Sequence, residues 1–167
     1  MFKPELKKLN ACSEAVKWAG DKSLEKIWEE CERGDWMLWL IHKSKLCDLK
    51  LKTLIKVECA ELVAHFLTDE RSKNALIVAR NFAEGNATIE ELNAAAAAAY
   101  AAYADAAFAA AAAAYAADAD AYDDDAYAAY AADAADFAFV ASRENTLKKC
   151  ADIVRKHLPF SDIKKFK

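Results

Sequence analysis

The stretch that decides the fold is residues 88–141, TIEELNAAAAAAYAAYADAAFAAAAAAYAADADAYDDDAYAAYAADAADFAFVA. It opens on Thr88-Ile89-Glu90-Glu91, a capping box in which the Thr88 hydroxyl and the Glu91 carboxylate each satisfy a free backbone N–H at the start of a helix. From Ala94 to Ala141, 30 of 48 residues are Ala, 8 are Asp, and none is Lys or Arg. Alanine has the highest helix propensity of all residues, and no Gly or Pro interrupts the chain between Thr88 and Pro159. The tract is therefore expected to be helical. One helix of seventy residues would be on the order of 100 Å long, several times the width of a compact domain, so it must fold back. The Asp-rich run 118–125 is the expected turn, because Asp competes for backbone hydrogen bonds and prefers caps. This places one helix over about 89–118, a second over about 126–142, and a last from Asn145 or Thr146 to His157 unless those two are continuous. Pro159 closes the final one.

Working outward, the first 86 residues are rich in Leu and Trp and carry helical periodicity throughout. Leu6, Leu9, Cys12, Val16 and Ala19 form one face of a helix over 5–19 that Gly20 ends. Asp21 or Ser23 caps a second helix with the stripe Leu24, Ile27, Trp28 and Cys31, and Gly34 stands where a left-handed C-terminal stop belongs. Asp35 then caps a third, from Trp36 to about Lys43. Asp48 opens a fourth, with Leu51, Leu54, Ile55, Glu58, Cys59, Leu62 and Phe66 in its stripe. A fifth runs from about Arg71 to Glu84, buries Leu76, Ala79 and Phe82, and stops at Gly85. Three Gly and two Pro in 167 residues are too few for the many turns of a β-sandwich or barrel. The fold class expected is all-α: a single domain over 1–167, a multi-helix bundle of successive antiparallel helical hairpins with long Ala-rich helices. Its parts are the Leu/Trp-rich half (1–86), the Ala/Asp/Tyr-rich helices (87–142), and a C-terminal helix with a basic tail (143–167).

Charge divides the chain in two. The net charge is −4, and since the Ala tract alone carries −8, the remaining residues sum to +4. No overall basic footprint marks a nucleic-acid binder. Asp105 interrupts the longest uncharged run, Ala contributes little transfer energy, and no Lys/Arg cluster flanks the tract, so a membrane span is not expected. Met1-Phe2-Lys3-Pro4-Glu5 does not start a signal peptide, and five Cys without a C-x-x-C spacing fit reduced thiols; a cytoplasmic protein is expected.

Candidate chemistry is sparse. Asp118, Asp120, Asp123, Asp124 and Asp125 lack the glycine and terminal Glu of a calcium loop. Glu58, Glu61 and His65 share a helix, but their spacing is Glu-x-x-x-His and occurs once, short of the set a di-iron bundle needs. His42 and His157 are not followed by Asp. No phosphate loop, H-E-x-x-H or G-x-S-x-G is present. Arg33-Gly34-Asp35 spells an integrin-binding tripeptide, yet as a helix junction it has a structural explanation. Trp18, Trp28, Trp36 and Trp39 are read as a packed nucleus. Phe108, Tyr115 and Tyr122 lie seven apart, as do Tyr130 and Phe137, and are read as fillers between Ala-surfaced helices. No catalytic residue, metal or cofactor is assigned. The alternative is a small-ligand or metal-binding helical protein or enzyme whose pocket between the two halves gathers Glu58, Glu61 and His65 with an Asp of the tract, or a self-associating structural protein.

The run Cys31-Glu32-Arg33-Gly34-Asp35-Trp36-Met37-Leu38-Trp39-Leu40 is distinctive. It is followed in order by Ala60-Glu61-Leu62-Val63-Ala64-His65, the Ala87–Leu92 helix start, the Ala/Tyr/Asp tract, and Lys149-Cys150-Ala151-Asp152-Ile153-Val154-Arg155-Lys156. Together these resemble a bacterial and phage family of alanine-rich helical proteins labelled immunity proteins, over about residues 9–159. The resemblance implies a stoichiometric toxin-binding module without catalysis or cofactor, and supplies no binding residues. The partner expected is a basic toxin domain, met by the acidic, tyrosine-bearing edge Asp118, Asp120, Tyr122, Asp123, Asp124, Asp125, Tyr127, Tyr130 and Asp133.

Overall fold

The computed structural model describes residues 2–44, 46–103 and 140–163. These residues are all-α, with no strand among them. The N-terminal stripe forms two short helices, α1 (Lys3–Lys8) and α2 (Ser13–Ala19), instead of the single helix expected over 5–19. Asn10 breaks the run by adopting φ 61°, a left-handed conformation its short polar side chain tolerates, and the Cys12 sulfur then caps α2 by accepting the Ala15 N–H. Gly20, at φ 50°, ends α2. Ser23 caps α3 (Leu24–Glu30), its hydroxyl accepting from the Lys26 N–H at 3.2 Å.

Gly34 is not the left-handed stop that its position suggested. It is the first residue of α4 (Gly34–Ser44), and Asp35 lies inside the first turn of that helix. The free carbonyls at the end of α3 are instead met from outside: the Arg155 guanidinium donates to the Trp28 carbonyl at 3.0 Å and the Cys31 carbonyl at 2.8 Å. Gly34 is required for another reason. A Cβ placed on it would sit 2.4 Å from the Cys150 Cβ, 2.6 Å from the Leu147 carbonyl oxygen and 2.9 Å from the Ala151 nitrogen. Only a residue without a side chain lets α4 approach the C-terminal helix this closely.

Asp48 caps α5 (Leu49–Glu61) as expected, accepting from the Leu51 N–H at 2.8 Å. The helix ends at Glu61, so the predicted stripe stops short: a 3-10 turn follows over Ala64–Phe66, and Phe66 is exposed. Asp69 caps α6 (Glu70–Glu84). At its other end Gly85, φ 85°, donates to the Phe82 carbonyl and Asn86 to the Asn81 carbonyl, the paired hydrogen bonds of a Schellman stop. The capping box forms as read: Thr88 N–H to Glu91 Oε2 at 2.7 Å, and Glu91 N–H to Thr88 Oγ1 at 3.2 Å. It starts α7 (Ile89–Tyr103). The last long helix, α8 (Val140–His157), begins before Ser142, so Asn145 and Thr146 are interior residues and not its start. After Leu158 and Pro159, α9 (Phe160–Ile163) completes the described chain.

Two cores share α5. On one side, Ile55 and Cys59 join Leu6, Trp28, Leu38 and Val154 in a core built from α1–α4, α8 and α9. On the other, Val57 packs with Ala75, Ala79 and Phe82 of α6 and Leu92, Ala95, Ala96 and Ala99 of α7. A smaller cluster of Ala60, Leu67 and Leu76 fills the α5–α6 junction. Neighbours in sequence pack on one another from α5 through α7, but α8 returns across the molecule to α4 and α5. The expected turn in residues 118–125 and the helix over 126–142 up to Phe139 lie outside the described residues.

Gly34→Ala is expected to lower stability by about 3 kcal/mol, because its Cβ meets backbone that cannot yield. Gly85→Ala, where only the left-handed conformation is penalised, should cost about 1 kcal/mol. Urea midpoints of the two variants check the order, and equal losses would contradict the close approach at Gly34.

Candidate functional site

Of the polar residues that a pocket between the halves would gather, Glu58 is separated by the fold from Glu61 and His65. Glu58 faces α8, where its carboxylate meets Lys156 Nζ and His157 Nε2, each at 3.0 Å. Glu61 faces α6 and takes a bidentate pair from Arg80, with Nε at 2.8 Å from Oε1 and the second nitrogen at 2.5 Å from Oε2. His65 stacks on Phe66, ring centroids 4.0 Å apart. Glu58 and Glu61 lie one turn apart, yet α8 and α6 pass on different sides of that turn and each claims one carboxylate. Among the described residues no group of three His, Cys, Asp or Glu side chains is arranged to hold a metal ion.

The electrostatics follow from those pairs. Partial burial pushes the Glu58 carboxyl up, and the close approach of His157 and the hydrogen bond from Lys156 more than offset it, leaving the group below the usual carboxylate range. The hydrogen bond to Glu61 raises the Arg80 guanidinium further above its ordinary value. At the α6 cap, the Arg71 side chain and backbone N–H hold Asp69 down to about 2.

Two surface features remain. At the α5–α6 elbow an open depression of about 510 Å³ is lined by Ala64, Leu67 and Leu76 with Glu61, His65 and Arg80 around them. Phe66, 45% exposed, and Ile77, 60% exposed, are the large exposed hydrophobic residues of the described surface; Ile77 lines this depression, and Phe66 adjoins it through His65. On the opposite core, Lys22 Nζ sits 3.9 Å above the Trp18 ring, Trp18 lies 5.8 Å from Trp36, and Arg33 Cζ sits 4.3 Å above Trp36. Glu30 holds Lys22 at 3.1 Å, while Glu14 and the buried Asp35 hold Arg33. The integrin-like tripeptide is thereby tied up within the fold. The tryptophans pack as a nucleus: Trp28 is buried with its indole N–H donating to the Leu158 carbonyl at 3.0 Å, and Trp18, Trp36 and Trp39 are half-buried. The cavity they border with Met37 and Leu6 is about 30 Å³, room for no more than a water-sized group against apolar walls.

The acidic edge Asp118, Asp120, Tyr122, Asp123, Asp124, Asp125, Tyr127, Tyr130 and Asp133 lies outside the described residues. Of the features not read from sequence, the exposure of Ile77 was within reach: it falls one position off the buried stripe Leu76, Ala79 and Phe82. The partners of Glu58 were not, because Lys156 and His157 are about a hundred residues away in the chain. No helix among the described residues is long and apolar enough to cross a membrane.

The depressed carboxyls fix a pH dependence. A group whose folded pKa lies below its unfolded value stabilises the fold above the unfolded value and loses that contribution as pH falls through the folded one. Stability should therefore be level from pH ~7 to ~5 and fall between pH ~4 and ~2. Asp69→Asn should be less stable at neutral pH and fall less steeply over the acid range; urea midpoints measured at several pH values check both.

Compared with known proteins, the chain matches no family model, no curated protein and no solved structure. The resemblance to immunity proteins therefore rests on the sequence motifs that carry it.

Proposed function

We propose that this chain is a stoichiometric protein-binding module of the immunity type, which neutralises a basic toxin domain in the cytoplasm by masking it and performs no reaction of its own. The observation that carries this is the separation of charge: eight Asp and no Lys or Arg over residues 94–141, in a chain whose remaining residues sum to +4. Such a field attracts a cationic partner and orients its approach, while Tyr122, Tyr127 and Tyr130 offer rigid, amphipathic anchors beside the carboxylates. The ordered run of motifs from Cys31 to Lys156 that resembles immunity proteins supports the same reading. So does the fate of Glu58 and Glu61, whose carboxylates are engaged in ion pairs between helices and do not converge on a shared cavity.

The test is capture of the partner and then reversal of the edge. Tagged protein from the native host should retain a basic protein at one-to-one stoichiometry that salt releases. Replacing Asp123, Asp124 and Asp125 by Lys should slow association with it by roughly tenfold or more at low salt and flatten the salt dependence of the rate. An unchanged rate would remove this edge from the interface. Recovery of the chain alone, or of a bound small molecule, would oppose the proposal.

A further inference from the structure

Five cysteines are present, and all are free thiols: Cys12 is exposed, Cys47 is half-buried, and Cys31, Cys59 and Cys150 are buried. Two of the buried three meet across a helix contact. Cys59 on α5 and Cys150 on α8, 3% and 8% exposed, belong to the same core cluster. The Cys59 sulfur lies 4.0 Å from the Cys150 carbonyl oxygen, which sets its thiol against Cys150 across the α5–α8 contact. On another side of Cys150, the bare backbone of Gly34 presses against its Cβ. These two cysteines are 91 positions apart in sequence, and the whole Ala/Asp tract lies between them.

We propose that Cys59 and Cys150 are a latent oxidative modification site, a dithiol that a hydroperoxide converts to an intramolecular disulfide. One thiol, as its thiolate, attacks the peroxide oxygen, giving a sulfenic acid and releasing water or an alcohol. The second sulfur then displaces hydroxide from the first, which leaves as water with the remaining proton. The two sulfurs lose two electrons and two protons in total, and the peroxide O–O bond accepts both electrons. The hydrogen bond to Cys150 and burial hold the Cys59 thiol well above its ordinary range, so the closed fold keeps it protonated and slow to react. Oxidation proceeds when α8 lifts from α5. Once formed, the disulfide prevents that separation and joins α5 to α8 covalently.

The experiment uses the full chain with Cys12→Ser, which removes the exposed thiol and the intermolecular links it would make. Hydrogen peroxide treatment followed by intact-mass measurement should show a loss of about 2 Da, and digestion without reductant should yield one linked pair of peptides containing Cys59 and Cys150. The reaction should accelerate in mild urea, which promotes opening. The oxidised protein should melt roughly 10 °C higher, and reductant should restore the original value. Adding Cys150→Ala should abolish the mass loss. If that variant does not fold, the peptide map of the parent protein still decides. Oxygen additions without a link, a link through Cys31 or Cys47, or no reaction in mild urea would each overturn the proposal.

Discussion

The core that α1–α4 build with α5 depends on the return of α8 to it. This helix comes from the far end of the chain, yet it supplies Leu147, Cys150, Ala151 and Val154 to the packing of α4 and α5. It also completes hydrogen bonding that α3 cannot complete for itself. Arg155 takes the carbonyls of Trp28 and Cys31, and the carbonyl of Leu158 takes the Trp28 indole N–H. A buried indole or helix-end carbonyl left without a partner costs about 1–3 kcal/mol, so these contacts are part of why α3 and α4 hold their places. Gly34 sets the distance at which this happens. With any side chain there, α4 and α8 would be pushed apart and the hydrogen bonds from Arg155 would have to stretch.

The second constraint is that α5 is buried on two sides. A helix serving one core can keep its polar residues on one opposite face; α5 has to place them in the narrow strips between two cores. Thr53, fully buried on this helix, shows how little of its surface is left for water. Glu58 and Glu61 sit in such strips, and both are neutralised by cations from the helices flanking them. Carboxylates in these positions tie α5 to α8 and to α6. The elbow beyond Glu61 is different: there the chain leaves α5 through a 3-10 turn, and Phe66 emerges onto the surface beside a depression that also exposes Ile77.

Much of the local structure was legible in the sequence because its signals are chemical and short-range. Ser23, Asp48 and the Thr88–Glu91 box announce helix starts, and Gly20 and Gly85 announce helix ends. The misreadings have one physical origin. A glycine that ends a helix and a glycine that admits a neighbouring backbone look alike in sequence, and what distinguishes Gly34 is a helix more than a hundred residues away. The break at Asn10 was hidden for a related reason: Leu6, Leu9 and Val16 keep a helical spacing across it, and hydrophobic period alone does not reveal a left-handed residue. Residues 142–146 contain good caps, Ser, Asn and Thr, which left open a helix start there or a continuous helix, and α8 has already begun by Val140. Of the candidate site, the charge separation was plain from composition, whereas the division of Glu58, Glu61 and His65 depends on which helices pass beside α5.

The distance in sequence between Trp28 and the carbonyl that receives its indole, 130 residues, also has a meaning in time. A ribosome adds roughly 5–20 residues per second, so roughly 6–26 s separate the emergence of Trp28 from that of the carbonyl that receives its indole. During that interval the nascent chain presents an uncovered aromatic surface of the kind that chaperones bind. The core of α1–α4 comes off the ribosome unfinished, and it is sealed only once α8 has followed it.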